Sequence, residues 1–286
     1  MSSNTPVWLI TASSSGFGRA VALEALKRGH EVIATARNPS SSKLDGLRSA
    51  GAEIIALDVT SPLQDLQRTI AGALSIHGRI DILVNAAGFI LEGALEECTP
   101  EESLQQFNTN VFGTMNVSRA VLPYMRAQHS GVIANFGSVG SWRGSPGVGM
   151  YETSKWAVSG LTESMRPELE EFGIKVTVIE PGYFRTGFLN DSARVKARHM
   201  DEYKGSKVEV YRQGLAAKDN KQANDAAKGA ERIVDVLTQS GRAAGRDIPL
   251  RLPLGTDAYG IIKAKCEETV KLMDEWKEII CGTEHD

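Results

Sequence analysis

The sequence has little cysteine. Three occur among 286 residues: Cys98, Cys266 and Cys281. Their number is odd, their spacing is irregular and no Cys-x-x-Cys occurs, which leaves no pattern for a disulfide framework or a zinc site. The five histidines are scattered, and none stands at metal-ligand spacing from a carboxylate or cysteine, so no metal is expected. An excess of one charge is also missing. The 32 basic and 35 acidic residues leave −3, which argues against nucleic acid or an anionic membrane as partner. No run of about 18 apolar residues is present, so no membrane span is expected. The first apolar run, Val7 to Ile10, is short and lacks a basic flank, unlike a secretion signal. A reducing, cytoplasmic setting follows, and the sequons at Asn116-Val117-Ser118 and Asn190-Asp191-Ser192 are read as chance matches.

What the chain does have is a core-forming composition, 42% hydrophobic and 23% charged. Its pattern alternates. Strand-like runs cover Val7–Thr11, Glu31–Ala36, Glu53–Val59, Ile80–Val84, Val132–Phe136 and Lys175–Ile179. Helical periodicity fills the gaps. Thr99-Pro100-Glu101-Glu102 carries an N-cap, a proline at the first helical position and a capping-box glutamate. The helix it opens contains Asn110 and meets Pro123. Strands alternating with helices predict an α/β fold with a doubly wound, mostly parallel sheet in a single domain spanning 1–286. After Pro181-Gly182 the pattern loosens. Residues 187–245 are read as a substrate lid with an associated helix, inserted after the sixth strand at the carboxyl edge, where open α/β sheets bind ligands. Ile248–Leu254 is expected as a last strand, confined to an edge by Pro249 and Pro253. Tyr259–Ile280 is expected as a closing amphipathic helix.

Two stretches carry chemistry. Thr11-Ala12-Ser13-Ser14-Ser15-Gly16-Phe17-Gly18 links the first strand to the first helix. Its small residues let the backbone approach a pyrophosphate, and the helix end offers unpaired N–H groups. Tyr-x-x-x-Lys occurs three times, at Tyr151/Lys155, Tyr203/Lys207 and Tyr259/Lys263. Only the first stands between two strand runs and follows a serine at a strand end, Ser138. On a helix the Lys155 ammonium can approach the Tyr151 phenol. A fixed cation lowers a phenol's pKa from about 10, giving an acid or base for a carbonyl or alcohol.

These motifs resemble the short-chain dehydrogenase/reductase family from residue 7 to about 186. The family's Thr-Gly-x-x-x-Gly-x-Gly loop has Ala12 in place of its first glycine, and Asn85-Ala86-Ala87-Gly88 replaces Asn-Asn-Ala-Gly. The resemblance implies a Rossmann fold and a catalytic tetrad of Asn110, Ser138, Tyr151 and Lys155. Tyr151 would give the proton and Ser138 would hold the substrate oxygen. Lys155 would grip the nicotinamide ribose, and Asn110 would hold a relay water. Cofactor contacts are implied at Thr11, Ser13, Ser14, Gly16, Phe17 and Gly18, at Asp58 and Val59, and at Asn85, Ala86, Ala87 and Gly88. Pro181, Gly182, Phe184 and Thr186 join Tyr151 and Lys155 on the nicotinamide side.

NAD-selective folds end the second strand in an acid. Here that end reads Ala36-Arg37-Asn38, and Arg37 can pair with a 2′-phosphate, so NADP is the expected cofactor. Phe89, Val139, Trp142, Arg143, Met150 and Tyr183 are expected to line a pocket for a mainly apolar ketone or secondary alcohol. The implied subtype is an NADP-preferring carbonyl reductase or hydroxysteroid-dehydrogenase-like enzyme, assembled as a homodimer or homotetramer through helices 99–129 and 151–172. A cyclase or isomerase, or an NADP-binding regulator, remains open on the same scaffold.

Overall fold

The architecture is that of a computed structural model, which describes residues 5–190 and 193–285. Asp191 and Ser192, which fall in the 187–245 segment and in the second sequon, lie outside the described residues, as do residues 1–4 and 286. Seven strands form one sheet: β1 (Val7–Ile10), β2 (Glu31–Ala36), β3 (Glu53–Ala56), β4 (Ile82–Asn85), β5 (Gly131–Phe136), β6 (Ile174–Pro181) and β7 (Arg251–Leu254). They lie in the order β3-β2-β1-β4-β5-β6-β7, and every pairing is parallel. The connections carry α1 (Gly16–Lys27), α2 (Asp45–Ser49), α3 (Leu63–His77), α4 (Pro100–Phe107), α5 (Thr114–Gln128) and α6 (Gly149–Glu170). Beyond β6 come α7 (Lys207–Lys218), α8 (Ala226–Leu237) and α9 (Thr256–Glu275). Winding reverses between β1 and β4, and that switch point opens a crevice at the strands' carboxyl ends.

The central strands are mostly apolar because both their faces are covered, with Thr35, Asn85, Asn135, Thr177 and Glu180 as buried polar exceptions. Successive side chains go to opposite layers. Trp8, Ile10, Val32, Ala34, Ile82 and Val84 pack toward α1 and α8, where Val21, Ala25, Ile233 and Val234 meet them. Leu9, Ile33, Leu83, Ile133 and Val176 pack toward α3, α5 and α6, against Ile70, Val117, Val121 and Met165. Each fully buried leucine or isoleucine contributes roughly 1.5–3 kcal/mol. The buried Trp8 indole N–H donates to His30 Nδ1 at 3.1 Å, so its polar edge is not orphaned.

The last strand is on the edge, as its prolines require. Val178 N–H donates to Leu250 O and Gly182 N–H to Leu254 O, so the even-numbered residues of β7 face β6. Pro253 therefore turns its missing N–H outward, where no ladder bond is lost. The helix from Thr99 has its capping box: Glu102 N–H donates to Thr99 Oγ1 at 3.2 Å, and Thr99 N–H donates to Glu102 Oε2 at 2.9 Å. It is not one regular helix. Between α4 and α5, Asn108–Gly113 widens into a π turn. Gly113 lies against Val59 there, where a Cβ would come within 2.7 Å of a Val59 methyl.

Residues 184–190 and 193–225 cross the crevice rather than the core. Phe184–Arg185 pairs with Asn224–Asp225, and Arg194–Lys196 pairs with Ile90–Glu92. A buried charge cluster fastens this crossing. Arg194 lies 3.3 Å from Glu92, while Arg212 on α7 reaches Glu92 at 3.3 Å and Glu97 at 2.6 Å. Glu97 also accepts the N–H groups of Ala94 and Met200. The closing helix forms, but only its start covers the core. Ala258 and Ile262 are buried against Val139, whereas Val270, Leu272 and Met273 are exposed.

Candidate active site

The loop after β1 owes its shape to side chains that bind backbone. Ser13 Oγ donates to Ile10 O at 2.9 Å, and Ser13 N–H donates to Thr35 O at 2.8 Å. Thr11 Oγ1 accepts from the N–H groups of Ala86 and Ala87, tying β1 to the loop after β4. Ala12 adopts φ 53° and Gly16 φ 56°, both left-handed. The glycine expected at position 12 is thus explained by backbone conformation as well as by space, and alanine is strained there by roughly 1–2 kcal/mol. Gly18 allows α1 to approach β1, since a Cβ would lie 2.7 Å from the Thr11 and Ala12 carbonyl oxygens. Helix α1 has no side-chain cap at Ser15 and no acid in its first turn. Its leading N–H groups face a cleft lined by Ala12, Ser15, Gly16, Phe17 and Gly18. An anion would satisfy those donors.

Tyr151 and Lys155 project from the first turns of α6 into the same cleft, and Ser138 reaches it from the end of β5. Ser138 Oγ accepts the Gly140 N–H at 3.0 Å. Burial pushes the Tyr151 phenol well above its usual value, and a hydrogen bond with Ser138 pulls it partly back. Burial lowers Lys155 to about 8. The Lys155 ammonium donates to Phe136 O at 2.7 Å and lies 5.8 Å from the centroid of the Tyr151 ring. The expectation that Lys155 depresses the Tyr151 pKa is not met in the protein alone, because desolvation of the phenol outweighs every other influence. Asn110 is buried in the π turn. Its amide donates to Phe89 O and Ser154 Oγ and accepts the Phe89 N–H, so its side chain fastens the loop after β4 to α6. The open side of Gly88 faces both Asn110 Oδ1 and Lys155 Nζ.

The cleft encloses about 1240 Å³ of empty space, part of it open to solvent. Pro181, Gly182, Phe184 and Thr186 lie along it, as do Val139, Arg143 and Tyr183. Three expected substrate residues are not on its walls. Trp142 turns away, donating its indole N–H to Glu180 at 2.8 Å and stacking 4.4 Å from the Arg251 guanidinium. Phe89 contributes backbone to Gln106 and Asn110. Met150 precedes Tyr151 on α6 and is not among the residues that line the cleft. Asn85 spends its amide on Ser118 and Asn135 inside the sheet. Asp58 accepts the Thr60 N–H at 2.9 Å, and Arg37 is exposed at the end of β2. Ser14 and Ala87 belong to the two loops beside the cleft, and Ala86 and Gly88 line it.

Val148, a wall just before α6, escaped the sequence. Ser15 comes from the loop after β1, and Phe188, Leu189 and Leu215 come from the segment read as a lid, the last from α7. Asp257 also escaped. At the start of α9 its Oδ2 accepts the Tyr183 N–H at 2.7 Å and its Oδ1 accepts from Asn224 at 2.8 Å, which holds the turn after β6.

A parallel sheet with its switch-point crevice, an uncapped helix end and a Ser–Tyr–Lys set define a nucleotide-binding oxidoreductase of Rossmann type. Comparison with known proteins narrows the class. The short chain dehydrogenase profile matches residues 6–197, and the chain belongs to that family. Oxidoreductase BOA17 from Botryotinia fuckeliana is 35% identical over 278 residues, covering 96% of this chain and 98% of that one. A short-chain dehydrogenase from Streptomyces avermitilis superposes with a TM-score of 0.87 at 36% identity, over 99% of this chain and 100% of that one. A gluconate 5-dehydrogenase from Burkholderia cenocepacia, solved with NADP and tartrate, gives a TM-score of 0.61 at 30% identity, over 65% of this chain and 74% of that one. The protein is an oxidoreductase of the short-chain dehydrogenase family. No helix among the described residues is long and apolar enough to cross a membrane.

Proposed function

We propose that this enzyme interconverts a ketone and a secondary alcohol on a mainly apolar small molecule, with NADP(H) as cofactor. The observation that carries this reading is the junction within one cleft. Ser138, Tyr151 and Lys155 stand between the uncapped end of α1 and an apolar chamber of Ile90, Val148, Leu189 and Leu215. The residues present fit a dinucleotide. The α1 N–H groups would hold its pyrophosphate, Asp58 its adenine, and Lys155 its nicotinamide ribose with the donors that Phe136 leaves free. When bound, that group supplies or accepts the hydride.

The chain's own part is the proton. Burial keeps Tyr151 protonated at neutral pH, the form needed to give a proton to a carbonyl oxygen. Ser138 orients the same oxygen. Asn110 holds the loop after β4 against α6 and lies beside the route from Lys155 toward solvent. Residues 187–245 act as a lid, with Phe188, Leu189, Tyr211 and Leu215 as its underside. The exposed Leu104, Phe112 and Trp156 on α4, the π turn and α6 serve self-association as a dimer or tetramer. A monomer in light scattering at micromolar concentration would count against that assembly.

Support for NADP comes from Arg37, which no acid neighbours at the end of β2, and from the relative solved with that cofactor. The test is consumption of NADPH and NADH with a panel of aromatic, cyclic and long-chain ketones. A kcat/KM for NADPH about tenfold or more above that for NADH supports the reading. An equal ratio removes Arg37 from the account, and no consumption with any ketone removes the reductase reading.

A further inference from the structure

We infer that the substrate carries a carboxylate, and that Arg143, Tyr183 and Tyr211 bind it. This rests on the reductase reading and names the substrate class for the same cleft. The three side chains come from three separate elements. Arg143 lies on the loop after β5, Tyr183 follows β6, and Tyr211 is on the lid helix α7. They meet on the cleft wall as a continuous chain. Arg143 Nη2 donates to the Tyr183 hydroxyl at 3.3 Å, and the Tyr183 and Tyr211 hydroxyls lie 3.1 Å apart. Lys218 adds a second cation, its ammonium 3.9 Å from the centroid of the Tyr183 ring.

Charge accounting separates Arg143 from the other arginines around the cleft. Arg194, Arg212 and Arg251 each lie in an ion pair with a buried glutamate. Arg143 lines the cleft and forms no ion pair among the described residues. Among the described residues its side-chain hydrogen bond goes to a neutral phenol. A guanidinium has five N–H donors, so most of this one remains to be satisfied. Glu152 is the carboxylate on the described cleft walls, and it is committed elsewhere: it accepts from the Ser145 backbone and side chain, although it is close enough for Arg143 to act on it through space. With Arg143 and Lys155 against Glu152, the walls carry an excess of positive charge. Around these groups the chamber is apolar, where Tyr151, Tyr183, Phe188 and Tyr211 pack on Ile90, Val148, Leu189 and Leu215. An apolar body ending in a carboxylate matches this lining. A planar carboxylate can take two N–H groups of the fork at once, with a tyrosine hydroxyl donating beside them. Because Tyr211 belongs to α7, the bound carboxylate would also hold the lid to the floor.

The experiment is calorimetry on the full chain with saturating NADP+, titrating linear alkanoates from hexanoate to tetradecanoate and the methyl ester of each. It needs no turnover. The acids are expected to bind about tenfold to a hundredfold tighter than their esters at the length that fits. Arg143→Gln should erase this preference and leave ester affinity unchanged, while Arg143→Lys should keep part of it. Tyr211→Phe removes one hydroxyl from the lid and should weaken the acids several-fold without touching the esters. Equal binding of acid and ester, failure of the acids to bind, or a preference that survives both Arg143→Gln and Tyr211→Phe overturns the proposal. In parallel, linear methyl-ketone carboxylates and their esters are offered with NADPH. Acids that bind selectively but are not reduced would spare the carboxylate site and sink the reductase reading. Ketones reduced without regard to the carboxylate would do the opposite.

Discussion

The Lys155 ammonium donates to the Phe136 carbonyl at 2.7 Å, a bond that joins the start of α6 to the end of β5 beneath the cleft. That bond and near-complete burial define the resting state of the lysine. Its pKa falls from 10.5 to about 8 because the charged form loses its water.

Lys155 is therefore held at a cost to stability. Its folded-state pKa lies below its unfolded value, so between about pH 8 and 10.5 the unfolded chain binds the extra proton. Stability from this group should rise as pH rises through that window, with the full penalty present below it. The shift corresponds to about 3 kcal/mol, from which the lost charge-assisted Phe136 bond subtracts about 1.5–3 in a variant without the ammonium. Lys155→Met should be at least as stable as the parent at pH 7, by up to about 1.5 kcal/mol, and should lose that advantage by pH 10. Denaturant melts at both pH values check this. A less stable variant at pH 7 would show that the ammonium is not held under a desolvation penalty.

Ala12 carries strain of a different kind. Its φ of 53° suits glycine. Ala12→Gly should relieve roughly 1–2 kcal/mol of left-handed strain and give back roughly 0.5–1 in unfolded-chain entropy. A net gain of up to about 1.5 kcal/mol in a denaturant melt is expected. The removed methyl also lines the cleft, so cofactor affinity should stay level or improve. A loss of stability would contradict the strain argument.

The proposed cofactor preference rests on the end of β2. Ala36 is buried and Arg37 exposed, with no acid at the strand end. Ala36→Asp together with Arg37→Gln should invert the NADPH-to-NADH ratio of kcat/KM, a swing of about tenfold to a hundredfold in each direction. An unchanged ratio would place cofactor choice elsewhere.

How much of this was legible in the sequence depends on which physics was local. The sheet was legible because strands buried on both faces must read as apolar runs, and Pro249 and Pro253 marked the edge. The Thr99–Glu102 cap was legible because its bonds span three residues. The π turn at Asn108–Gly113 was not, because a single inserted residue turns the following face by about 100°, and over one turn that shift cannot be told from ordinary scatter in apolar spacing. Trp142 looked like a pocket residue from its place after Ser138, but a buried indole needs an acceptor, and Glu180 from a neighbouring strand provides it. Glu92, Glu97, Arg194 and Arg212 carried no sequence signal. Their pairing joins segments about a hundred residues apart, which no local pattern encodes. The apolar residues of α9 gave helical periodicity without revealing that most of them would remain exposed.

The central claim is that Tyr151 supplies the proton as hydride reaches a carbonyl carbon. The most direct measurement uses NADPH dideuterated at C4 with one accepted ketone, comparing the parent with Tyr151→Phe by mass spectrometry of the alcohol and by cofactor titration. The account predicts deuterium on the carbinol carbon of the parent's product, and a rate in Tyr151→Phe lower by about 10²–10⁴-fold with cofactor affinity nearly unchanged. Tyr203→Phe should behave like the parent, since that hydroxyl donates to Glu96 at 2.7 Å outside the cleft. An alcohol without deuterium, or Tyr151→Phe turning over near the parent's rate, would contradict it.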